Sequence, residues 1–181
     1  DGRVVIAGGE SATGPTSVSE IYDPDTGIWG SGPNMANPRT FPRAVTLQDG
    51  RILMTLGATS DGPLASNELY NPSTDEWSDA GDVEEPRSFH TATLLSDGRV
   101  LVVGGGDSTR VVNSVDIFDP TTDTWSAAAP TITARAVHSA TLLSDGHVLV
   151  VGGLNADDLT LISSEIYDPV ANTWTETAAR L

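Results

Sequence analysis

The dipeptide Asp-Gly recurs at a fixed interval of 48 residues, at Asp1-Gly2, Asp49-Gly50, Asp97-Gly98 and Asp145-Gly146. Trp29, Trp77 and Trp125 keep the same interval, and Trp174 follows 49 residues after Trp125. Tyr22, Tyr70, Phe118 and Tyr167 do likewise. The slip of one residue places a single insertion in the fourth unit, between Gly153 and Glu165. A chain with this self-similarity folds as copies of one unit that bury their faces against each other. Repeats 1–48, 49–96, 97–144 and 145–181 account for all 181 residues, so residues 1–181 form one segment without a separate domain or linker.

Inside a unit the short-range pattern is β. The runs 138–143 (HSATLL) and 148–153 (VLVVGG) flank Ser144-Asp145-Gly146. Two β-rich runs around an Asp-Gly turn are a strong hairpin signal. A polar loop follows, then a third run, Ser164-Glu165-Ile166-Tyr167. Asp168-Pro169 opens a second tight turn: Asp can bond its own backbone two residues on, and Pro fixes φ. Trp174 starts the last run. No stretch carries a 3.6-residue period. Each unit is expected to be a four-stranded antiparallel meander.

Four features recur together. They are a Gly pair after a strand (Gly8-Gly9, Gly104-Gly105, Gly152-Gly153) and an acid before the aromatic (Glu20, Glu68, Glu165). With them come Asp-Pro turns (Asp23-Pro24, Asp119-Pro120, Asp168-Pro169) and a Trp six residues after the Asp. Arg39, Arg87 and Arg135 lead into the next unit, the last two followed by His90 and His138. This pattern resembles the kelch repeat of bacterial or archaeal type, over the whole chain. The departures are Leu56-Gly57 for the Gly pair, Asp116 for Glu, Asn71 for Asp and Pro42 for His. The resemblance implies an all-β fold, a β-propeller of kelch-like four-stranded antiparallel blades. Period and turn chemistry point the same way.

The once-per-unit Trp and Tyr/Phe are expected to pack blade on blade, each supplying a large apolar area. The chain holds fifteen blade strands, about 3.75 blades, because the first unit lacks its inner strand. The apolar faces of Val4, Ile6 and Ile21 at one end and Ile162 and Ile166 at the other are expected to be open. Kelch-like rings commonly have six or seven blades, so the resemblance implies that more of the same chain completes the ring. A second copy closing an eight-blade ring, and a closed four-blade ring, are the alternatives.

The net charge of −16 argues against nucleic acid as partner, since phosphates are repelled. No run is long and apolar enough for a membrane span, so no membrane insertion is expected. There is no Cys and every cation is Arg. Such a surface fits high salt or an acidic secreted protein, and an extracellular or cell-surface location is expected.

Antiparallel alternation puts the Asp-Gly and Asp-Pro turns on one face of the ring. The long loops 10–18, 58–66, 106–113 and 154–163, with junctions such as 81–86, lie on the other. Loop tips on a rigid scaffold commonly carry binding, so the long-loop face is the candidate surface. Arg39, Arg87 and Arg135 have two readings. Either they bond carbonyls and acids of the next blade, or they form a binding cluster at the channel mouth for carboxylate-bearing ligands. Asp107, Asp157 and Asp158 are candidate loop acids for binding; Ca²⁺ and plain solvation are both open readings there. His90 and His138 read as a ligand pair or as architecture, and no metal site is expected. The family includes a copper-dependent galactose oxidase whose site needs a Tyr cross-linked to Cys; without Cys that chemistry is excluded for this segment. No Ser-His-Asp order or Gly-x-Ser-x-Gly elbow is present. No catalytic residues and no cofactor are therefore assigned. The expected function is a binding or scaffold module for a protein or carbohydrate ligand. The alternative is the propeller of a secreted carbohydrate-active or galactose-oxidase-like enzyme with its catalytic residues elsewhere.

Overall fold

A computed structural model describes residues 2–157 and 159–177. Among these residues all regular structure is β. The first blade comprises β1 (Val4–Ala7), a small hairpin of β2 (Glu10–Ser11) and β3 (Gly14–Pro15), β4 (Ser19–Asp23) and β5 (Ile28–Ser31). The second comprises β6 (Arg43–Thr46), β7 (Ile52–Thr55), the hairpin β8 (Ala58–Thr59) and β9 (Gly62–Pro63), β10 (Ser66–Asn71) and β11 (Glu76–Asp82). β12 (Thr91–Leu94), β13 (Val100–Val103), β14 (Val115–Asp119) and β15 (Thr124–Ala127) form the third. β16 (Ser139–Leu142), β17 (Val148–Val151), β18 (Ser164–Asp168) and β19 (Thr173–Glu176) form the fourth.

The sheets are antiparallel meanders, β1-β4-β5 with three strands and three others with four, an open partial propeller. These fifteen blade strands match the sequence expectation; the hairpins β2-β3 and β8-β9 are additional. The inner strands β6, β12 and β16 neighbour one another around the axis.

The core lies between blades. One cluster joins Leu53, Leu56 and Leu69 of the second blade to Val100, Val102 and Phe118 of the third. The other joins Leu101, Val103 and Ile117 to Val148, Val150 and Tyr167 of the fourth. The Tyr/Phe–Trp pairs stack at centroid separations of 4.9–5.3 Å. Each internal Trp also bonds across a seam: Nε1 of Trp77, Trp125 and Trp174 donates to the carbonyls of Pro33, Ala80 and Ala129 in the preceding blade. Trp29 differs from its three counterparts and is 47% exposed, because no described blade precedes it. Val4, Ile6 and Ile162 are exposed as expected, whereas Ile21 is buried.

The Gly pairs bring two chain segments into contact. At Gly105, φ is +103°, and a Cβ would sit 2.4 Å from the Ser88 carbonyl oxygen. Leu56, which replaces the first Gly of the second pair, takes the same left-handed backbone with φ 51° and buries its side chain completely.

Candidate functional site

The junction arginines decide between their two readings. Arg39, Arg87 and Arg135 are fully buried, and each guanidinium is bonded to the next blade. Arg39 donates to the Leu56 and Ser66 carbonyls and pairs with Glu68 at 2.7 Å. Arg87 donates to the Gly104 carbonyl and pairs with Asp116 at 2.5 Å. Arg135 donates to the Gly152 carbonyl and pairs with Glu165 at 2.5 Å. The acids are locked in turn: Glu165 accepts from the amides of Ile132 and Thr133, and Glu68 from those of Ala36 and Asn37. A binding cluster of these three arginines at the channel mouth is therefore corrected to a set of blade clamps. Burial lowers the pKa of Arg39, and Glu68 partly restores it.

His90 and His138 are also buried at the seams, their Nε2 atoms bonded to the hydroxyls of Thr55 (2.7 Å) and Thr91 (2.9 Å). Burial, with Arg87 and Arg43 nearby, pushes the His90 pKa well below its ordinary value; burial and Arg135 bring His138 down to about 4. Among the described residues no three His, Cys, Asp or Glu side chains are grouped to hold a metal.

Of the loop acids, Asp107 is turned inward on its own loop. It accepts from the Thr109 amide and hydroxyl and the Arg110 amide, which lowers its pKa. Asp157 is exposed, its amide bonded to Asn155 Oδ1. The structure does not bring these two acids, from different blades, into one group. Asp158 lies outside the described residues.

A feature that the sequence reading missed lies just before the inner strands on the long-loop face. Phe41, Phe89 and Val137 occupy equivalent positions, each two residues after a clamp arginine. Their φ values are 53°, 59° and 55°. Bulky and β-branched residues rarely take this conformation, and it is held here by backbone pairing on both sides. Thr40, Ser88 and Ala136 bridge to Ala58, Gly106 and Leu154, and the Val137 amide donates to the Phe89 carbonyl. The Phe41 and Phe89 rings meet at 4.7 Å, while Phe41 and Val137 are 55% and 59% exposed. The result is an apolar rim around the inner edge of that face. Only the 48-residue spacing of these three residues could have pointed to it.

A family model described as the KLHDC2/KLHL20/DRC7 kelch-repeats domain matches residues 1–180. The chain belongs to the kelch-repeat family. Among solved structures, the kelch segment is similar to one titled "Structure of YjhT", with a TM-score of 0.77 and 16% identity. That match covers 97% of this chain and 62% of the other, so the segment spans less than two thirds of its structural neighbour. No curated protein matches the sequence. The kelch propeller is thus the architecture of a binding or scaffold module, and its arginine, tryptophan and glycine signatures here serve the seams.

Proposed function

We propose that this kelch segment is a protein-binding module that docks its partner on the long-loop face, with Phe41, Phe89 and Val137 as apolar anchors. One observation carries the reading: at equivalent positions of adjacent blades a strained backbone holds Phe41 and Val137 outward, with the half-buried Phe89 ring against Phe41. A rigid apolar cluster with a polar surround is what a protein interface uses as its energetic centre. Its polar surround includes Glu85, which pairs with Arg110 and Ser114. A ring of neighbouring blades completes the module on our reading. Glu20, equivalent to the clamped Glu68 and Glu165, and Trp29 Nε1 await a guanidinium and a carbonyl, and further blades of the same ring supply both. The acidic, cysteine-free composition supports an extracellular or cell-surface setting.

The test is selection of binders from a displayed peptide library against the full-length protein, with a glycan array in parallel. Peptides carrying an aromatic or aliphatic anchor are expected, their binding reduced at least about tenfold by Phe41→Asp. Binding to glycans alone, or peptide binding indifferent to Phe41→Asp and Phe89→Asp, overturns the proposal.

A further inference from the structure

The opposite, short-turn face carries a second set of arginines, at the Asp-Gly turns, and the repeat supplies its own comparison. In the first seam, Arg3 Nη2 crosses to the carbonyl of Pro72 at 2.9 Å. In the second, Arg51 holds its own Asp49 through Nε. It also crosses to the third blade, gripping both oxygens of Asp123 at 2.9 Å and the Pro120 carbonyl at 2.7 Å. In the third seam, Arg99 holds its own Asp97 through both Nε and Nη2, and no bond from it reaches a described residue of the fourth blade. The seam stands open there as a cleft of about 770 Å³, within the usual size range of small-molecule sites.

Two substitutions within the repeat explain the difference. Asp75, Asp123 and Asn172 occupy one left-handed turn position, with φ of 59°, 52° and 53°. In the second blade Tyr70 donates its hydroxyl to Asp75. In the third, Phe118 has no hydroxyl, and Asp123 is free to take Arg51. In the fourth, Tyr167 returns, and neutral Asn172 has its Oδ1 occupied by the Tyr167 hydroxyl and the Ala129 amide, both at 2.9 Å. Arg99 thus faces a cleft with neutral Asn172 at the position from which Asp123 reaches Arg51, over a lining that includes Leu95, Ile117 and Tyr167.

We propose that this cleft binds a small organic carboxylate with an apolar body, its carboxylate taken by Arg99 as Asp123 is taken by Arg51. A guanidinium suits carboxylate recognition, and Arg99 Nη1, the nitrogen through which Arg51 takes Asp123, makes no hydrogen bond among the described residues. The acids Asp145 and Asp168 line the cleft beside Asp97, which Arg99 holds, and do not exclude an anion. Their equivalents Asp97 and Asp119 stand at the same positions of the second seam, where a carboxylate is seated. His147, which stands where the other turns carry Arg, donates its backbone amide to Asp145 Oδ1 and lies 3.8 Å from Asp168.

The experiment titrates the full-length protein with benzoate and with its neutral isostere benzamide, reading by NMR both the arginine side-chain Nε–H resonances and the backbone amides of the cleft residues Ser96, Gly146 and Asn172. Benzoate is expected to shift the Arg99 resonance saturably and to bind at least about tenfold more tightly than benzamide. Arg99→Gln, a substitution on a partly exposed turn, abolishes the response. The double variant Tyr167→Phe/Asn172→Asp, which rebuilds the Phe118/Asp123 arrangement, also abolishes it by supplying an internal carboxylate. Asp123→Asn adds a second benzoate response, at Arg51. Equal affinity for benzamide, benzoate binding that survives Arg99→Gln, or no response of Arg99 up to saturating benzoate each overturns the proposal.

Discussion

Replacing Arg135 by Met separates the clamp from a ligand-binding role by magnitude. The guanidinium is fully buried and bonds the Gly152 carbonyl and Glu165; Glu165 is itself fully buried. Without Arg135 the Glu165 carboxylate keeps only the amides of Ile132 and Thr133. An uncompensated buried charge costs about 3–5 kcal/mol when its partner is removed. Arg135→Met is therefore expected to lower the unfolding free energy by that amount, measured by urea denaturation with tryptophan fluorescence at constant m-value. Glu165→Gln strands the opposite charge and destabilises as well. The double variant carries no charge at the site, and the Gln carbonyl still accepts from Ile132. Its loss falls short of the two single losses added together by ~2 kcal/mol, within the range for contacting residues. Because both partners are dry, salt leaves the effect nearly unchanged. A ligand-facing surface arginine behaves otherwise: Arg135→Met within ~0.5 kcal/mol of the parent, or strict additivity, refutes the clamp.

Trp125→Ala removes a seam-filling ring with a bonded indole and is expected to cost ~3 kcal/mol or more, against less than half of that for the exposed Trp29→Ala in the 181-residue segment; urea midpoints at equal m-value decide it. His138 titrates near 4 in the fold and near 6.5 when unfolded, so the unfolded chain binds the extra proton between those values. Stability is intact above about pH 6.5 and falls by ~2 kcal/mol per such histidine by pH 5, and His138→Gln should flatten that slope in urea titrations at stepped pH. Asp123→Asn releases Arg51 at a half-exposed site and is expected to cost about 0.5–1 kcal/mol at low ionic strength and less in 1 M salt; a salt-independent loss contradicts the ion-pair account.

The period made the blades legible because every local cue repeats with it. The Asp-Gly and Asp-Pro turns fix strand ends, and the once-per-unit aromatics mark the seam. The short hairpins were written as Gly14-Pro15 and Gly62-Pro63, also 48 residues apart, but such brief polar runs lack the apolar alternation that signals a strand. The clamp arginines were visible as a set; their burial was not, because it depends on Glu68, Asp116 and Glu165, which lie 29 or 30 residues away in sequence. Phe41, Phe89 and Val137 were hidden for a different reason: left-handed backbone at Phe and Val contradicts local preference and is imposed by the junction pairing.

Repetition alone does not separate scaffold from site in such a chain. Arg39, Arg87 and Arg135 repeat and vanish into the seams, while Phe41, Phe89 and Val137 repeat but form a rim in which Phe41 and Val137 are exposed and Phe89 is half-buried. Burial of a repeated charge needs a repeated partner, and the acids at 68, 116 and 165 supply it. The Phe41 and Phe89 rings touch across one seam, yet Phe41 and Val137 keep more than half of their surface exposed in a disfavoured backbone conformation, and on the proposed reading a partner covers them. Departures from the repeat carry the opposite information. At Phe118 a lost hydroxyl frees Asp123 to close the second seam; at Asn172 a lost charge leaves Arg99 open in the third. On the two proposals made above, the symmetric residues offer the surface for a large partner and the broken symmetry offers the place for a small one.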